Sequence, residues 1–202
     1  MDIDDLSLPG GAVCANAADV AKTYSSPALL NHSMRVYAWA VALGAVHRVR
    51  FDPELLFVAA MLHDVGLTEE FDNHTKPFEV AGGHVAWVFA AGAGWPVPRR
   101  ARLAEVIVRH MHAEVDPAGD PEGFLLSRAA AADIAGRGVA DLPAGFRADV
   151  PARYPRLDLV DEFLRCFRDQ AARKPESAAG AAMRNDLATR MAANPLEQPR
   201  EG

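Results

Sequence analysis

Apolar residues recur along this chain at the spacing of a helical turn, and no segment has the strict alternation of a β-strand. The pattern predicts helices over residues 15–25, 28–48, 53 to about 66, 78–91, from beyond Pro98 to about 112, 122–135, 156–173 and 177–192. We therefore predict an all-α bundle that forms a single domain over residues 1–192. Residues 193–202 are expected to be a disordered tail.

Several predicted helix ends coincide with residues that cap or break helices. Asp52 fits an N-cap, with Pro53 at the first helical position. Gly66 fits the end of the third helix, so His63 and Asp64 are expected in its last turn.

The composition and net charge argue against some classes of function. The chain has 202 residues, is 50% apolar and 24% charged, and carries a net charge of −6. Because no stripe rich in Lys and Arg is present, nucleic acid is not an expected partner. Cys14 and Cys166 are too isolated to form a disulfide framework.

The chain begins with an acidic segment, and its apolar runs are short. We therefore expect no signal peptide, no membrane partner and a cytoplasmic location. The amphipathic segment 156–173 is interpreted as core packing, with a contribution to a homodimer as the alternative.

Polar residues interrupt the apolar faces of three predicted helices. His63 lies on the buried side of the third, His110 on the apolar stripe of the fifth, and Asp133 on a core face of the sixth. A buried, unpaired carboxylate costs several kcal/mol, so it needs a cation or strong donors. A metal ion shared between helices would satisfy His32, His63, Asp64 and Asp133 together, with His110 nearby.

Each of these residues also has a structural interpretation without a metal. His110 could be a hydrogen-bonded core histidine. Asp64 could cap a turn, and Asp133 could pair with Arg128 or Arg137. Residues taken alone leave these alternatives open.

Five segments resemble a known family. Residues 30–37, Leu-Asn-His-Ser-Met-Arg-Val-Tyr, and 62–68, Leu-His-Asp-Val-Gly-Leu-Thr, are similar to the cyanamide hydratase branch of the HD metal-dependent hydrolases. Residues 78–83, 108–110 and 132–136 also look like that branch. The resemblance covers about residues 25–138, and the C-terminal helices over 155–192 carry no recognised motif.

The resemblance implies an HD-domain helical bundle with a metal site between its central helices. The implied metal ligands are His32, His63, Asp64 and Asp133. They would hold one divalent ion, with Zn²⁺ favoured and Fe²⁺ or Mn²⁺ possible.

Binuclear members of the superfamily use further histidines between the His-Asp pair and the last aspartate. Phe78 occupies the place of one of them, His110 matches the other, and His84 lies five residues from the expected place. We therefore expect a single metal, with two metals as the minority interpretation.

Further site residues follow from the same interpretation. Asp64, His110 and Glu79 are the catalytic candidates, the last two for proton shuttling. Glu79 could instead be an acid favoured by the dipole at a helix N-terminus. Substrate binding is assigned to three residues: Asn31, Thr68 and Lys76.

The favoured function is addition of metal-activated water to a small-molecule substrate, with hydration of cyanamide to urea, or of a related small nitrile, as the first candidate. The alternative is a phosphohydrolase acting on a nucleotide or small phosphate monoester, with Arg35, Lys76 and Arg109 around the phosphate. Binuclear iron oxygenase chemistry is disfavoured by Phe78. A non-catalytic HD binding module would be expected to have a broken ligand set.

Overall fold

A computed structural model describes residues 3–197 of the chain, and these contain helices but no strand. The predicted all-α class is therefore confirmed. The helices are α1 Ala12–Tyr24, α2 Pro27–His47, α3 Pro53–Leu62, α4 Phe78–Gly92, α5 Val97–Arg109, α6 Pro121–Ala135, α7 Ala144–Arg153, α8 Leu159–Arg173, α9 Ala178–Arg184 and α10 Leu187–Ala192. Short 3₁₀ turns cover Ile3–Asp5, Val65–Leu67 and Val139–Asp141.

Helices α2 and α3 begin at proline, and each is capped by the side chain before that proline. Ser26 accepts a hydrogen bond from the Leu29 amide at 3.1 Å at the start of α2. Asp52 accepts one from the Leu55 amide at 3.0 Å at the start of α3, as predicted. These caps fix the first turn of both helices that lead to the candidate ligands.

Four helices form the centre of the molecule. In α3 every residue from Leu55 to Leu62 is buried, and α2 is buried over most of its length. Helices α2, α3, α5 and α6 pack against one another in this core. His32 lies within α2, His63 directly after α3, His110 directly after α5, and Asp133 within α6.

Helix α4 approaches the turn that carries Asp64 more closely than a side chain would allow. A Cβ added at Gly66 would lie 2.1 Å from the Phe78 carbonyl oxygen. One added at Gly82 would lie 3.3 Å from the His63 carbonyl oxygen. Glycine at these positions lets the N-terminal turns of α4 support the backbone around His63 and Asp64.

The C-terminal helices cover one end of this core. Helix α8 packs on α9, α10 and α2, and α10 also packs on α6. Their apolar side chains form a second buried cluster, in which Phe163, Phe167 and Leu187 join Phe78 and Ile134. This cluster lies beside the candidate site.

Helix α5 ends at Arg109 rather than near residue 112, and α8 begins at Leu159 rather than 156. Three larger differences concern the number and the ends of helices. Helix α7 was not predicted, because Pro151 interrupts its pattern. The last predicted helix is divided into α9 and α10 at Asn185 and Asp186, where Asp186 adopts a left-handed conformation with φ 53°. The third helix ends at Leu62 rather than near Gly66, and a 3₁₀ turn follows.

The predicted disordered tail is partly described, and the described part is packed. Asn194 is fully buried and donates to the Asp133 carbonyl oxygen at 2.8 Å. Glu197 pairs with Arg156. Residues 198–202 lie outside the described residues. Among the described helices, none is long and apolar enough to cross a membrane.

Candidate metal centre

The Nε2 atoms of two buried histidines, His32 and His63, point toward the same position. The Nδ1 of His32 lies 2.7 Å from Asp133 Oδ2, and the Nδ1 of His63 lies 2.8 Å from the Ala60 carbonyl oxygen. Since both partners are acceptors, each Nδ1 carries the proton and each Nε2 keeps its lone pair. The two Nε2 atoms are 3.2 Å apart.

Asp64 completes a triangle with these nitrogens. Its Oδ2 lies 3.2 Å from the Nε2 of His32 and 3.2 Å from the Nε2 of His63. Both carboxylate oxygens are buried without a hydrogen-bond partner among the described residues. Burial alone would raise the pKa of Asp64, and positive charge at His63 and His32 lowers it below its usual range. With both imidazoles neutral, a metal ion bound at their Nε2 atoms would supply that positive charge. The carboxylate is therefore charged, buried and in need of a cation.

The three atoms fit a divalent metal ion. Ligand atoms at about 2.0–2.1 Å from a tetrahedral ion lie about 3.3–3.4 Å apart, close to the observed separations. His32, His63 and Asp64 are the residues that form such a group within the described part of the chain. Imidazole and carboxylate ligands of this kind suit Zn²⁺, Fe²⁺ or Mn²⁺.

Asp133, the fourth predicted ligand, lies behind His32 rather than at the triangle. Its Oδ1 accepts from Arg35 Nε at 2.8 Å and from Trp39 Nε1 at 2.8 Å, and its Oδ2 accepts from Arg35 at 2.9 Å and from His32 Nδ1 at 2.7 Å. Arg156 approaches Oδ1 to 3.3 Å.

These donors occupy both oxygens of Asp133, so its geometry suits the orientation of His32 better than coordination. Its cationic partners are Arg35 and Arg156, whereas the alternative considered from sequence was Arg128 or Arg137. Burial alone would raise the pKa of Asp133, but Arg35 and His32 hold it well below its usual range.

His110 faces the triangle from the end of α5. Its Nδ1 donates to the Ile107 carbonyl, and its Nε2 lies 3.6 Å from Asp64 Oδ1. Burial and the neighbouring His63 lower the pKa of His110 to about 4. His110 is thus a neutral imidazole, and the lone pair of its Nε2 lies near Asp64 Oδ1.

Phe78 lies near His110 in the interior, and His84 lies at the surface. Phe78 is fully buried, and its ring centre lies 5.7 Å from that of His110. His84 is exposed on α4 and does not reach the cluster.

The remaining predicted site residues are not brought to the triangle. Glu79 is buried beside it without lining the cavity described below, and burial raises the pKa of its carboxyl group. Asn31 donates to the Pro155 carbonyl oxygen at 2.8 Å, and the Thr68 hydroxyl donates to the Val65 carbonyl oxygen at 2.9 Å. Lys76 is exposed in the loop before α4. Asn31 and Thr68 are thus engaged in local hydrogen bonds, whereas the buried Oε2 of Glu79 has no hydrogen-bond partner among the described residues.

The three candidate metal ligands, His32, His63 and Asp64, are called the ligand cluster from here on. A cavity of about 310 Å³ opens beside it. His32, His63, Asp64 and His110 lie along it. Most of its remaining lining is apolar and includes side chains from α6, α8, α9 and α10, among them Ile134, Phe163, Phe167, Ala181 and Leu187.

The contribution of the C-terminal helices to this cavity was not found from sequence. Phe163 and Phe167 lie on the amphipathic face of α8, which was interpreted as core packing. A face that packs on a core and one that borders a cavity have the same periodicity. No signal in the sequence distinguishes the two.

Comparisons with known proteins agree with this centre. Cyanamide hydratase DDI2 and cyanamide hydratase DDI3 of Saccharomyces cerevisiae are each 29% identical to this chain over 163 residues, which cover 77% of this chain and 70% of each relative. A family model described as HD domain matches residues 29–141, a range that includes His32, His63, Asp64 and Asp133. More than half of the sequence matches this model, and the chain belongs to the HD domain family.

Proposed function

We propose that the chain binds one divalent metal ion, with zinc favoured, through His32, His63 and Asp64, and adds water to the carbon of a small nitrile. Hydration of cyanamide to urea is the first candidate. The observation that carries this proposal is the buried Asp64 carboxylate, which has no hydrogen-bond donor among residues 3–197 and lies 3.2 Å from two imidazole nitrogens. The two cyanamide hydratases to which the chain is similar support the choice of substrate.

A divalent ion of this kind lowers the pKa of coordinated water toward neutrality. In the proposed reaction a C–O bond forms between water and the nitrile carbon, and one C–N π bond breaks. One proton of the water passes to the nitrile nitrogen, and tautomerisation of the adduct gives urea. Water is consumed and no oxidant or reductant is needed.

His110 is the residue we assign to proton transfer. Its Nε2 is unprotonated near neutral pH and lies 3.6 Å from Asp64 Oδ1, and both residues line the cavity. It is therefore placed to accept the proton from water and return it to the nitrile nitrogen. Glu79 is not required for this step.

Arg35 and Asp133 are assigned to positioning. Asp133 accepts the Nδ1 proton of His32 and so keeps the Nε2 lone pair directed at the metal position. Arg35 is fully buried and holds both oxygens of Asp133. This chain of contacts fixes the tautomer and the ring orientation of His32.

The phosphohydrolase alternative is less well supported by the same contacts. Arg35 is bound to Asp133, and Arg109 pairs with Asp120 at 2.9 Å and with Glu105. Lys76 does not line the cavity. None of these three cations is available to neutralise a phosphate beside the ligand cluster.

Urea release from cyanamide tests the proposal. The purified protein is stripped of metal, reconstituted separately with Zn²⁺, Fe²⁺ and Mn²⁺, and compared with His63→Ala and His84→Ala treated in the same way. We expect metal-dependent urea release from the wild type and from the exposed-site control His84→Ala, and none from His63→Ala. Absence of urea from every metal-loaded wild-type sample, or full activity in His63→Ala, would contradict the proposal.

A further inference from the structure

The cavity beside the ligand cluster is larger than cyanamide requires. A water molecule occupies about 30 Å³ in the liquid, and cyanamide is little larger than a pair of waters. It would fill only about a fifth of the cavity of about 310 Å³. A cavity of this size is instead at the lower end of the range of about 300–1,000 Å³ for drug-sized ligands.

The lining of the cavity changes in character from its inner end to its rim. The inner end holds the buried ligand cluster and His110. The middle is apolar: Phe163 and Phe167 form aromatic walls, and small side chains such as Ala131 and Ala182 leave the space open. An occupant would therefore present a polar reactive group inward and an apolar body between the helices.

The rim carries two arginines. Arg137, just after α6, and Arg190, on α10, both line the cavity and are exposed. Within the described part of the chain, Arg137 donates to the Ala113 carbonyl oxygen at 3.4 Å and neither arginine has a carboxylate partner. By contrast, Arg128 on the same helix as Asp133 pairs with Asp141.

We infer that the substrate range extends beyond cyanamide to an organic nitrile with an apolar body of about aromatic-ring size and an anionic group at the end opposite the nitrile, recognised by Arg137 and Arg190. This inference rests on the proposed function, because it places the nitrile at the ligand cluster. The reaction is the same water addition: a C–O bond forms, one C–N π bond breaks, and one proton of the water moves to nitrogen. Tautomerisation of this imidic acid, in which the hydroxyl proton also moves to nitrogen, gives the carboxamide.

Binding of three probes by calorimetry tests the inference without relying on turnover. The probes are 4-cyanobenzoate, its neutral analogue 4-methylbenzonitrile, and cyanamide. Each is titrated into zinc-loaded and metal-free wild type, Arg137→Ala, Arg190→Ala and the control Arg128→Ala, which removes a positive charge that pairs with Asp141 and does not line the cavity.

We expect 4-cyanobenzoate to bind most tightly, and cyanamide at least about tenfold more weakly, since it leaves the apolar middle of the cavity unfilled. Each of Arg137→Ala and Arg190→Ala should weaken 4-cyanobenzoate by about two- to fivefold, the range of an exposed ion pair. Neither should weaken 4-methylbenzonitrile by as much, and Arg128→Ala should behave like the wild type.

Two results would overturn the inference. If both aryl nitriles bind no better than cyanamide, the cavity does not receive an apolar body. If the rim variants bind 4-cyanobenzoate like Arg128→Ala, the arginines do not recognise the anion. In that case affinity that disappears on removal of zinc would show that the carboxylate binds the metal instead.

The inference and the proposed function fail in different ways. Tight, arginine-dependent binding without carboxamide formation would support recognition of an apolar anion at this cavity and refute nitrile hydration. Urea release from cyanamide without binding of 4-cyanobenzoate would support hydration and refute the larger substrate.

Discussion

Arg35 gives the sharpest test of how the fold supports the metal centre, because its side chain is fully buried and its strongest contacts are to Asp133. Its guanidinium donates to both carboxylate oxygens, at 2.8 and 2.9 Å, and to the carbonyl oxygens of Tyr154 and Pro155. Arg35→Met keeps much of the side-chain volume and removes every one of these donors. Asp133 would then keep Trp39, His32 and the more distant Arg156 as partners.

The expected loss of stability is large. Removing one partner of a buried ion pair costs about 3–5 kcal/mol, because the other charge stays buried without compensation. At about 2–4 °C per kcal/mol for a chain of this size, the midpoint of thermal unfolding should fall by about 6–20 °C. Zinc affinity should fall by about 10–100-fold, as expected when a group that orients a ligating histidine is disturbed.

The pH dependence of this loss has a defined sign. In the wild type Arg35 and His32 hold the pKa of Asp133 low, so their contribution is present above the ordinary carboxyl range and is lost only in strong acid. Without Arg35, burial raises that pKa, and protonation relieves the buried charge as the pH falls. The difference in stability between Arg35→Met and the wild type should therefore be smaller at pH 5 than at pH 7.5.

The double variant Arg35→Met/Asp133→Leu separates stability from metal positioning. Replacing a whole buried pair by apolar residues is often neutral, so part of the lost stability should return, although Trp39 and His32 lose their acceptor. Zinc affinity should stay low, because the Nδ1 of His32 no longer has its acceptor. Urea unfolding with and without zinc measures both quantities. A single variant that loses less than about 1 kcal/mol, or a double variant that regains full zinc affinity, would refute this reasoning.

Three further variants test other parts of the site. His110→Ala should lower kcat for nitrile hydration by about 10²-fold or more with zinc content unchanged, because it removes the proposed proton-transfer group. The exposed control His84→Ala should keep the wild-type kcat, and equal kcat values for the two variants would contradict proton transfer by His110. Glu79→Gln should keep turnover and raise the stability of the fold at pH 7.5, since burial raises the pKa of the Glu79 carboxyl group. The gain in stability should shrink as the pH falls and the wild-type carboxyl group becomes protonated. A loss of turnover would instead support a catalytic role for Glu79. Gly66→Ala should destabilise the fold by about 1–3 kcal/mol or more, because its Cβ would lie 2.1 Å from the Phe78 carbonyl oxygen. In the control Gly92→Ala the added Cβ meets nothing within 4 Å, so this variant should be neutral or stabilising by up to about 1 kcal/mol. Similar unfolding midpoints for the two variants would contradict the close approach of α4 to Gly66.

Sequence predicted the parts of this molecule that depend on local chemistry. The Asp52 cap follows from neighbouring residues, and the helical class follows from the spacing of apolar residues within each segment. His32, His63 and Asp64 were brought together from separate segments by their burial pattern and by the family resemblance, and the structure places them in one group.

The parts that depend on tertiary packing could not be predicted in the same way. Sequence predicts Asp133 as a metal ligand, and the structure places its carboxylate against Arg35; the position of Arg35, in another helix, could not be predicted from the residues around Asp133. The cavity walls from α8 could not be told apart from core packing by periodicity. Asn31 and Thr68 were plausible polar candidates, yet backbone carbonyl oxygens accept their protons.

The most direct test of the central claim is the metal content of the zinc-loaded protein after exhaustive dialysis, compared between the wild type and Asp64→Asn. The account predicts about one zinc per wild-type chain and almost none in Asp64→Asn, with helicity by circular dichroism preserved in both. A wild type that retains no zinc, or an Asp64→Asn variant that retains as much as the wild type, would contradict a metal centre built on His32, His63 and Asp64.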